Sequence, residues 1–363
     1  MDYNRLEKFF SIIIVLVLSY LFFWPVKINP VAWTPPLNPG LKGDFLPNSK
    51  LKGMELFFIA HEVGPEDVAI DSQGRFYSGL NDGRIIRFQK NGSGPETFVN
   101  TGGRPLGLDF DQQDNLLVAD CFLGLLRITP DGQIEILSTE SDGVPYGMLD
   151  DVEVGNDGII YYSDATSKFS YTDMTLDILE HTANGRLLSY NPINQKSQVL
   201  LSGLYFANGV AVSPDQSFVL VNETGRYQIQ RYWLKGKKKG TAEIFLQNLP
   251  GYPDGISSND QGIFWLSFYR FRENYIDKYL LPDPKNRELI ARLPAIFFPT
   301  PKTHGIAIGL DKNANVIYNF QDEEGNFFPI TSIQQSGDTL YFGNFHGSVI
   351  ARKKLDELNK KWD

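Results

Sequence analysis

The chain has 363 residues, of which 42% are hydrophobic and 13% aromatic, so it is long enough to bury a large core. Its formal net charge is −9, and its one dense basic run, residues 235–239, lies in a glycine-containing turn. Nucleic acid is therefore not an expected partner, because binding to phosphates requires a basic face. The single cysteine, Cys121, excludes an intramolecular disulfide, and its strand-like surroundings predict a buried, unreactive thiol.

The N-terminal segment is predicted to be a membrane anchor. A short tail, residues 1–8, precedes the almost wholly apolar residues 9–26. A helix of about 18 residues is about 27 Å long, which is just enough to cross a bilayer core. Two interpretations of this segment remain open, a retained single-pass transmembrane helix and a cleaved signal peptide. Residues 21–24 are bulky and offer no small-residue cleavage site, which favours the retained helix. Either one places the rest of the protein on the non-cytoplasmic side, in a periplasmic, lumenal or extracellular space.

Residues 27–50 contain five prolines and are predicted to form an extended spacer rather than packed structure. Over residues 51–363 a short phrase then recurs six times, at intervals of 40 to 77 residues. Each copy begins a short apolar strand, which a polar turn and further β-rich runs follow. This pattern is typical of propeller blades, so we predict an all-β fold, a six-bladed β-propeller. The six copies are residues 65–68, 105–108, 149–152, 207–210, 253–256 and 330–333.

Two long gaps between copies, residues 168–184 and 271–298, are predicted to hold insertions. Each insertion can form a short helix, and the second is apolar enough to wall a substrate pocket. A lid over the site and a peripheral packing element are equally compatible with these sequences.

Four copies of the phrase carry an oxygen ligand at their second position. These residues are Glu66, Asp150, Asn208 and Asp254. If every copy begins the innermost strand of a blade, the four side chains converge on the propeller axis. Calcium prefers six to eight oxygen ligands, whereas zinc prefers nitrogen and sulfur, so a calcium site is predicted. The alternative is that these residues only cap strand starts and turns.

The sequence after about residue 50 resembles the superfamily of calcium-dependent propeller hydrolases, which includes the paraoxonases and gluconolactonases. The resemblance points to its branch of strictosidine synthase-like and adipocyte plasma membrane-associated proteins, in which an N-terminal membrane anchor also occurs. The motifs that carry it are residues 64–67, 104–108, 162–168, 185–188, 207–210 and 250–254.

The resemblance implies a calcium-dependent hydrolase of ester or lactone bonds, of the arylesterase or lactonase type. In these hydrolases the residues matching Glu66, Asn208 and Asp254 hold a catalytic calcium, and the position of Asp150 usually carries Asn. Calcium then acts as a Lewis acid on the carbonyl, and Asp254 is implied to be the nucleophile or the carboxylate that activates water. Relatives often have Asn at the position of Gly255, so the missing side chain is expected to open the pocket floor or to leave a ligand position to water.

Two departures from the superfamily narrow the mechanism. The histidine proposed as a general base in paraoxonases is replaced by Leu106. The glutamate that strictosidine synthases use for amine–aldehyde condensation is replaced by Phe327, although Glu323 and Glu324 are nearby. Condensation is therefore a weaker interpretation than hydrolysis.

The histidines are further candidates for acid–base catalysis. His304 and His346 are each predicted either to assist the reaction near neutral pH or to be hydrogen-bonded structural residues. His61 and His181 are predicted to be loop or surface residues. The rival to an enzyme is a non-catalytic binding propeller that calcium stabilises. The expected partners are a small ester or lactone substrate and, through the N-terminal helix, a membrane.

Overall fold

A computed structural model describes residues 3–59, 63–259, 261–294 and 302–358. Six four-stranded antiparallel sheets follow one another along the chain, and each is one blade, so the predicted six-bladed β-propeller is confirmed. From the inner to the outer strand, blades 1 to 3 are Ala69–Ile70, Phe76–Gly79, Arg84–Phe88 and Glu96–Asn100; Pro105–Phe110, Leu116–Asp120, Gly124–Ile128 and Ile134–Ser138; and Leu149–Val154, Ile160–Asp164, Gly185–Asn191 and Lys196–Leu204. Blades 4 to 6 are Ala207–Val212, Phe218–Glu223, Gln228–Trp233 and Ala242–Leu246; Gly251–Ser258, Phe264–Phe271, Gly305–Leu310 and Val316–Asp322; and Ile333–Ser336, Thr339–Phe342, Val349–Lys354 and Glu55–Phe58.

Blade 6 joins the two ends of the propeller. Its three inner strands come last in the chain, whereas its outer strand, Glu55–Phe58, comes first and pairs antiparallel with Val349–Lys354. The ring is therefore closed by backbone hydrogen bonds between distant parts of the sequence. A small additional hairpin pairs Glu140–Ser141 with Val144–Pro145.

The hydrophobic core lies between neighbouring blades. In the strand Phe218–Glu223, Phe218 and Leu220 pack in the cluster shared with blade 5, whereas Val219 and Val221 pack in the cluster shared with blade 3. Because successive side chains of a strand point to opposite faces, a strand covered on both faces is apolar throughout. This explains the short continuous apolar runs that the sequence repeats in every blade.

Carboxylates near the axis connect the first four blades. Asp67 Oδ2 accepts the backbone N–H of Leu108 at 2.8 Å, which links blade 1 to blade 2. In blade 2, Asp109 accepts from Val154 at 2.8 Å, and in blade 3 Asp151, at the same position of the phrase as Asp67, accepts from Val210 at 2.7 Å. Each bond joins an inner strand to the inner strand of the next blade, so these acids contribute to the ring rather than to a surface.

The N-terminal helix α1, Tyr3–Phe23, begins and ends earlier than the predicted residues 9–26. Its apolar side chains are exposed, with Phe22 at 64% and Phe23 at 83%. In the described residues, none of the helices combines the length and apolarity that crossing a membrane requires. The predicted transmembrane span is thus not confirmed.

Residues 27–50, which we call the strap, are extended but packed, and this corrects the prediction of an unpacked spacer. The backbone N–H of Val31 donates to Glu180 O at 3.0 Å, and that of Trp33 donates to Leu281 O at 3.0 Å. Farther along, Arg272 donates to Pro36 O at 2.5 Å. Because proline has no backbone N–H, the strap cannot satisfy its own carbonyls, and side chains of the propeller donate hydrogen bonds to them instead.

Both predicted insertions contain helices. The first holds a 3₁₀ turn, Tyr171–Asp173, and helix α2, Met174–Glu180. The second holds a π-helical turn, Ile276–Leu280, and helix α3, Pro284–Ala291. Helix α3 begins with a proline, and the side chain of Asp283 caps it by accepting from Lys285 N at 2.9 Å. The remaining helical pieces are Gly43–Phe45, Thr224–Arg226 and a C-terminal helix α4, Leu355–Leu358.

Candidate functional site

A cavity of about 580 Å³ lies between the inner strands and the two insertions. One end, which we call the floor, consists of the four residues predicted from the repeat: Glu66, Asp150, Asn208 and Asp254. The part of the lining that comes from the two insertions, which we call the roof, consists of residues from or beside α2, α3 and the turn Ile276–Leu280. These residues are Met174, Thr175, Ile178, Leu179, His181, Tyr275, Ile276, Leu280, Leu281, Arg287 and Ile290. Most of the wall between them is apolar or aromatic and includes Leu106, Met148, Phe206, Tyr252, Tyr269 and Phe345. Both insertions therefore line the cavity, as the lid interpretation expects.

Three of the four floor residues lie in β-bulges at the repeated phrase, whereas Glu66 precedes the first paired residue of its inner strand. In blade 4, Ala207 pairs with Glu223 and Val210 pairs with Val221, so Asn208 and Gly209 together oppose a single residue. The pairing shifts in the same way between Leu149 and Val152 in blade 3 and between Pro253 and Ile256 in blade 5. A bulge bends its strand and changes the direction of a side chain. In blades 3 to 5 the phrase in the sequence is therefore the signature of a bulge at its second and third residues.

The third position of the phrase corrects the expectation about Gly255. A Cβ atom at Gly255 would overlap the carbonyl oxygen of Thr331, which belongs to the next blade. At Gly209, a Cβ atom would likewise overlap the backbone of blade 5. Glycine occupies these positions because neighbouring inner strands approach closely, so Gly255 neither opens the floor nor takes the place of a ligand.

The floor concentrates negative charge in a buried space. Burial, followed by the charges of Asp150 and Asp254, raises the pKa of Glu66 well above its ordinary value. Burial and the charge of Asp150 also raise the pKa of Asp254 well above its ordinary value. Burial raises the pKa of Asp150 to about 7, and the fully buried guanidinium of Arg104 opposes that rise. Three carboxyls in this environment require protons or a cation to share the space.

The hydrogen bonds of the floor leave two carboxyl oxygens without a partner. Asn208 Nδ2 donates to Asp254 Oδ1 at 2.6 Å, which leaves Asp254 Oδ2 buried and unpartnered. Glu66 Oε2 is also buried without a partner. Buried polar atoms are almost always satisfied, so these two oxygens are the clearest sign that the floor binds something.

The floor residues carry the oxygen donors that a hard cation prefers, but their side chains are not arranged around a common point for it. Across the four described ranges, no three His, Cys, Asp or Glu side chains are arranged so that they could hold a metal ion. The fourth donor, Asn208, presents its amide nitrogen to Asp254, and ligation needs its oxygen instead. The all-oxygen donor set fits calcium better than zinc, so calcium at this place stays a prediction.

The four histidines differ from one another in their surroundings. His304 Nε2 is 2.8 Å from Gln321 Oε1, its ring contacts Phe271, and it is not among the residues that line the cavity. His346 does line the cavity, where its Nε2 is 2.6 Å from the hydroxyl of Tyr269, and burial lowers its pKa. His61 lies outside the described residues.

His181 was predicted to be a loop or surface residue; it lies in the turn that follows α2, but it is not on the surface. It is only 3% exposed and lines the cavity at the end of α2, with a left-handed backbone φ of 55°. Its ring stacks on Trp33 of the strap, with 4.5 Å between the centroids. A sequence pattern cannot show this burial, because the partner lies almost 150 residues away in the chain.

The other residues singled out in the sequence are part of the core or the surface. Cys121 is buried as predicted, and burial raises the pKa of its thiol well above the ordinary value, which keeps it unreactive. Phe327 is buried in the cluster between blades 5 and 6. Glu324 forms an exposed ion pair with Lys52 at 3.0 Å. These contacts give no support to an amine-binding acid at the position of Phe327.

The chain matches two family models and many known proteins. A model described as strictosidine synthase matches residues 150–237, and one described as strictosidine synthase-like, N-terminal, matches residues 43–88. Protein STRICTOSIDINE SYNTHASE-LIKE 6 of Arabidopsis thaliana is 32% identical over 362 residues, which cover 96% of this chain and 95% of the relative. The adipocyte plasma membrane-associated protein of Gallus gallus is 31% identical over 92% of this chain and 85% of its own length.

Solved structures with the same fold are more distant in sequence. A gluconolactonase from Xanthomonas campestris superposes with a TM-score of 0.61 at 17% identity, over 91% of this chain and 98% of that one. A luciferin-regenerating enzyme superposes with a TM-score of 0.58 at 14% identity, over 84% of this chain and 96% of that one. At these identities the likeness shows the propeller fold alone.

Proposed function

Since the chain belongs to the strictosidine synthase-like family, we propose that it is a calcium-dependent hydrolase of ester or lactone bonds that reacts at the cavity floor. The observation that supports this most is the pair of unpartnered, buried carboxyl oxygens on Glu66 and Asp254. They lie at the end of a largely apolar cavity, which is the usual setting of a small-molecule site. The gluconolactonase with the same fold is consistent with lactone-type chemistry.

In this proposal Glu66, Asp150, Asn208 and Asp254 hold the calcium ion. When bound, calcium supplies Lewis-acid polarisation of the substrate carbonyl. Oδ2 of Asp254 has no partner in the protein, so it is available to attack the carbonyl or to orient a water molecule. His304 does not line the cavity, so His346 with Tyr269 is the better candidate to exchange a proton with the leaving group.

The test is hydrolysis of phenyl acetate and γ-lactones by the purified full-length chain, with calcium or with EGTA. Asp254→Asn removes the charge but keeps the shape, and we expect it to lower kcat/KM by about a hundredfold or more. Asp109→Asn is the matched control, because Asp109 is a half-buried acid of an inner strand that does not line the cavity. Equal rates in the native protein and Asp254→Asn, or no effect of EGTA, would contradict the proposal.

The same experiment separates the enzyme from a non-catalytic binding propeller. If calcium raises the melting temperature and Asp254→Asn abolishes that rise, but no ester or lactone is hydrolysed, the ion stabilises the ring without chemistry. The open cavity would then be a binding site for a small ligand.

We also propose that α1 associates with a membrane and that the propeller lies on its non-cytoplasmic side. Support comes from the exposed apolar surface of α1 and from the membrane-associated relative in Gallus gallus. The full-length chain is expected to pellet with membranes and to resist extraction by carbonate, whereas a chain lacking residues 3–23 is expected to be released. Protease protection of the propeller in sealed vesicles then reports the side, and full digestion from the cytoplasmic face would contradict it.

A further inference from the structure

The roof contains two buried nitrogens that the rest of the protein leaves without a partner. They are Nε2 of His181 and Nε of Arg287, and both residues line the cavity. His181 is 3% exposed and Arg287 is fully buried. Two unsatisfied polar atoms in one wall of a cavity point to a ligand group that accepts hydrogen bonds there.

Arg287 is held rigidly but is not neutralised by an ion pair. Its Nη1 donates to Leu179 O at 3.0 Å and its Nη2 donates to Val31 O at 2.5 Å, so it joins α3 to α2 and to the strap. In the part of the chain that the structure describes, no carboxylate forms a salt bridge with it; burial lowers the pKa of its guanidinium, and the charge of Asp283 opposes that effect. A buried guanidinium that has only carbonyl partners favours an anion beside it.

Two of the acids near the roof are engaged by other cations, and a third, Asp177, accepts a hydrogen bond from Asn184 at 3.3 Å. Glu180 accepts from Lys168 at 2.6 Å, and Asp277 pairs with Arg272 at 2.7 Å. Burial lowers the pKa of His181 to about 3, and the charges of Arg226 and Arg287 add to this effect. His181 is therefore a neutral imidazole at physiological pH, and the positive charge of Arg287 lies close to it.

We propose that the roof is a second binding subsite, in which His181 and Arg287 hold an anionic, carboxylate-type head group of an amphiphilic ligand. The apolar wall then contacts the body of that ligand. Where the ligand is a substrate, its ester or lactone carbonyl lies at the floor, so the substrate class is an ester or lactone that also carries a distant carboxylate. The statement about the bond that is cleaved rests on the proposed function; the binding of the anion does not.

The test measures binding rather than turnover. Octanoate, octanol and octylammonium are titrated calorimetrically into the full-length chain in EGTA, which prevents the carboxylate from binding calcium. We expect octanoate to bind about tenfold or more tightly than octanol, because hydrogen bonds to charged groups are the stronger ones. We expect octylammonium to bind more weakly than octanol. Octanoate binding no tighter than octanol binding would overturn the proposal.

Variants of the roof show where the anion binds. His181→Phe keeps a ring for Trp33 to stack on but removes the nitrogens, and Arg287→Met removes the charge; both are expected to lose the preference for octanoate over octanol. His181→Asn keeps a donor in the left-handed position and is expected to retain part of it. Arg226→Met is the matched control, because Arg226 stacks on Tyr205 and Trp33 nearby but does not line the cavity.

The outcomes separate the roof from the floor. Unchanged affinity for octanol shows that a variant is folded and that its wall is intact, and His181→Phe keeps the test valid if Arg287→Met unfolds. If the preference for octanoate persists in both roof variants and is lost in Asp254→Asn, the anion binds at the floor and the proposal fails. An absence of ester hydrolysis would contradict the proposed function and leave these binding results unaffected.

Discussion

The floor and the roof of the cavity are built in different ways. The floor residues occupy one position of a repeated phrase, on bulged inner strands that hydrogen bonds join from blade to blade. The roof residues come from two unrelated insertions. Arg287 connects these insertions to each other and to the strap, which lies more than 250 residues before Arg287 in the chain. The floor therefore depends on the geometry of the ring, whereas the roof can change without disturbing the blades.

The largest effect on stability is expected from crowding the ring at the floor. Gly255→Ala places a Cβ atom against the Thr331 carbonyl of the next blade, and we expect the free energy of unfolding to fall by about 3 kcal/mol. Urea denaturation followed by tryptophan fluorescence measures it.

Gly225→Ala, near the roof, is the matched control. Its Cβ atom would lie 3.1 Å from Tyr205 O, which a small shift can relieve, so we expect a loss of about 1 kcal/mol. Equal losses at both positions would show that the ring at the floor is no more rigid than the roof.

A second effect concerns the contacts that hold the roof together. Arg287→Met leaves the carbonyls of Leu179 and Val31 without their donors, and we expect a loss of about 2 kcal/mol. Hydrogen exchange should increase in the strap, α2 and α3, while the blades keep their protection. Arg226→Met is again the control, and faster exchange throughout the blades would contradict the independence of the roof.

An acid of the ring, Asp109, and a histidine of the roof, His181, should respond to pH with opposite signs. The pKa of Asp109 is raised by burial from an ordinary value near 4 to about 7, so the stability it provides is lost as pH rises from about 4 to about 7. The pKa of His181 is lowered from about 6.5 to about 3, so the stability it provides is lost as pH falls through that range.

Variants isolate these two contributions. The free energy of unfolding of Asp109→Asn, relative to the native chain, is expected to improve between pH 5 and pH 8. That of His181→Phe is expected to improve between pH 7 and pH 4. Urea titrations at these pH values measure both, and parallel pH profiles for native chain and variant would show that the group does not change its protonation on unfolding.

The smallest effect is expected at Cys121, which packs between the floor and the wall in a cluster with Leu106, Met148 and Phe206. Cys121→Ala is expected to cost less than about 1 kcal/mol and to leave ester hydrolysis unchanged, because the thiol is buried and protonated. A thiol reagent should not modify the folded chain. Loss of hydrolysis in this variant would show that the sulfur takes part in the reaction.

The repeated phrase made the fold and the floor predictable. Six copies at blade-like spacing predicted six blades, and a common register predicted that Glu66, Asp150, Asn208 and Asp254 line one cavity, as they do. The same reasoning could not explain Gly255, because the nearness of Thr331 is a property of the packed ring. Nor could it show that His346, and not His304, lines the cavity, since both are single histidines in short strand-like segments.

The sequence alone therefore determined the features that the chain repeats, which are the short apolar strands, the phrases that form bulges and the acids that these phrases carry. A repeat is local, and its period determines which face each residue occupies. The roof has no such repeat. Its charge, the burial of His181 and the packing of the strap arise only when segments distant in the chain meet, and their close packing decides which polar atoms find partners and which remain for a ligand.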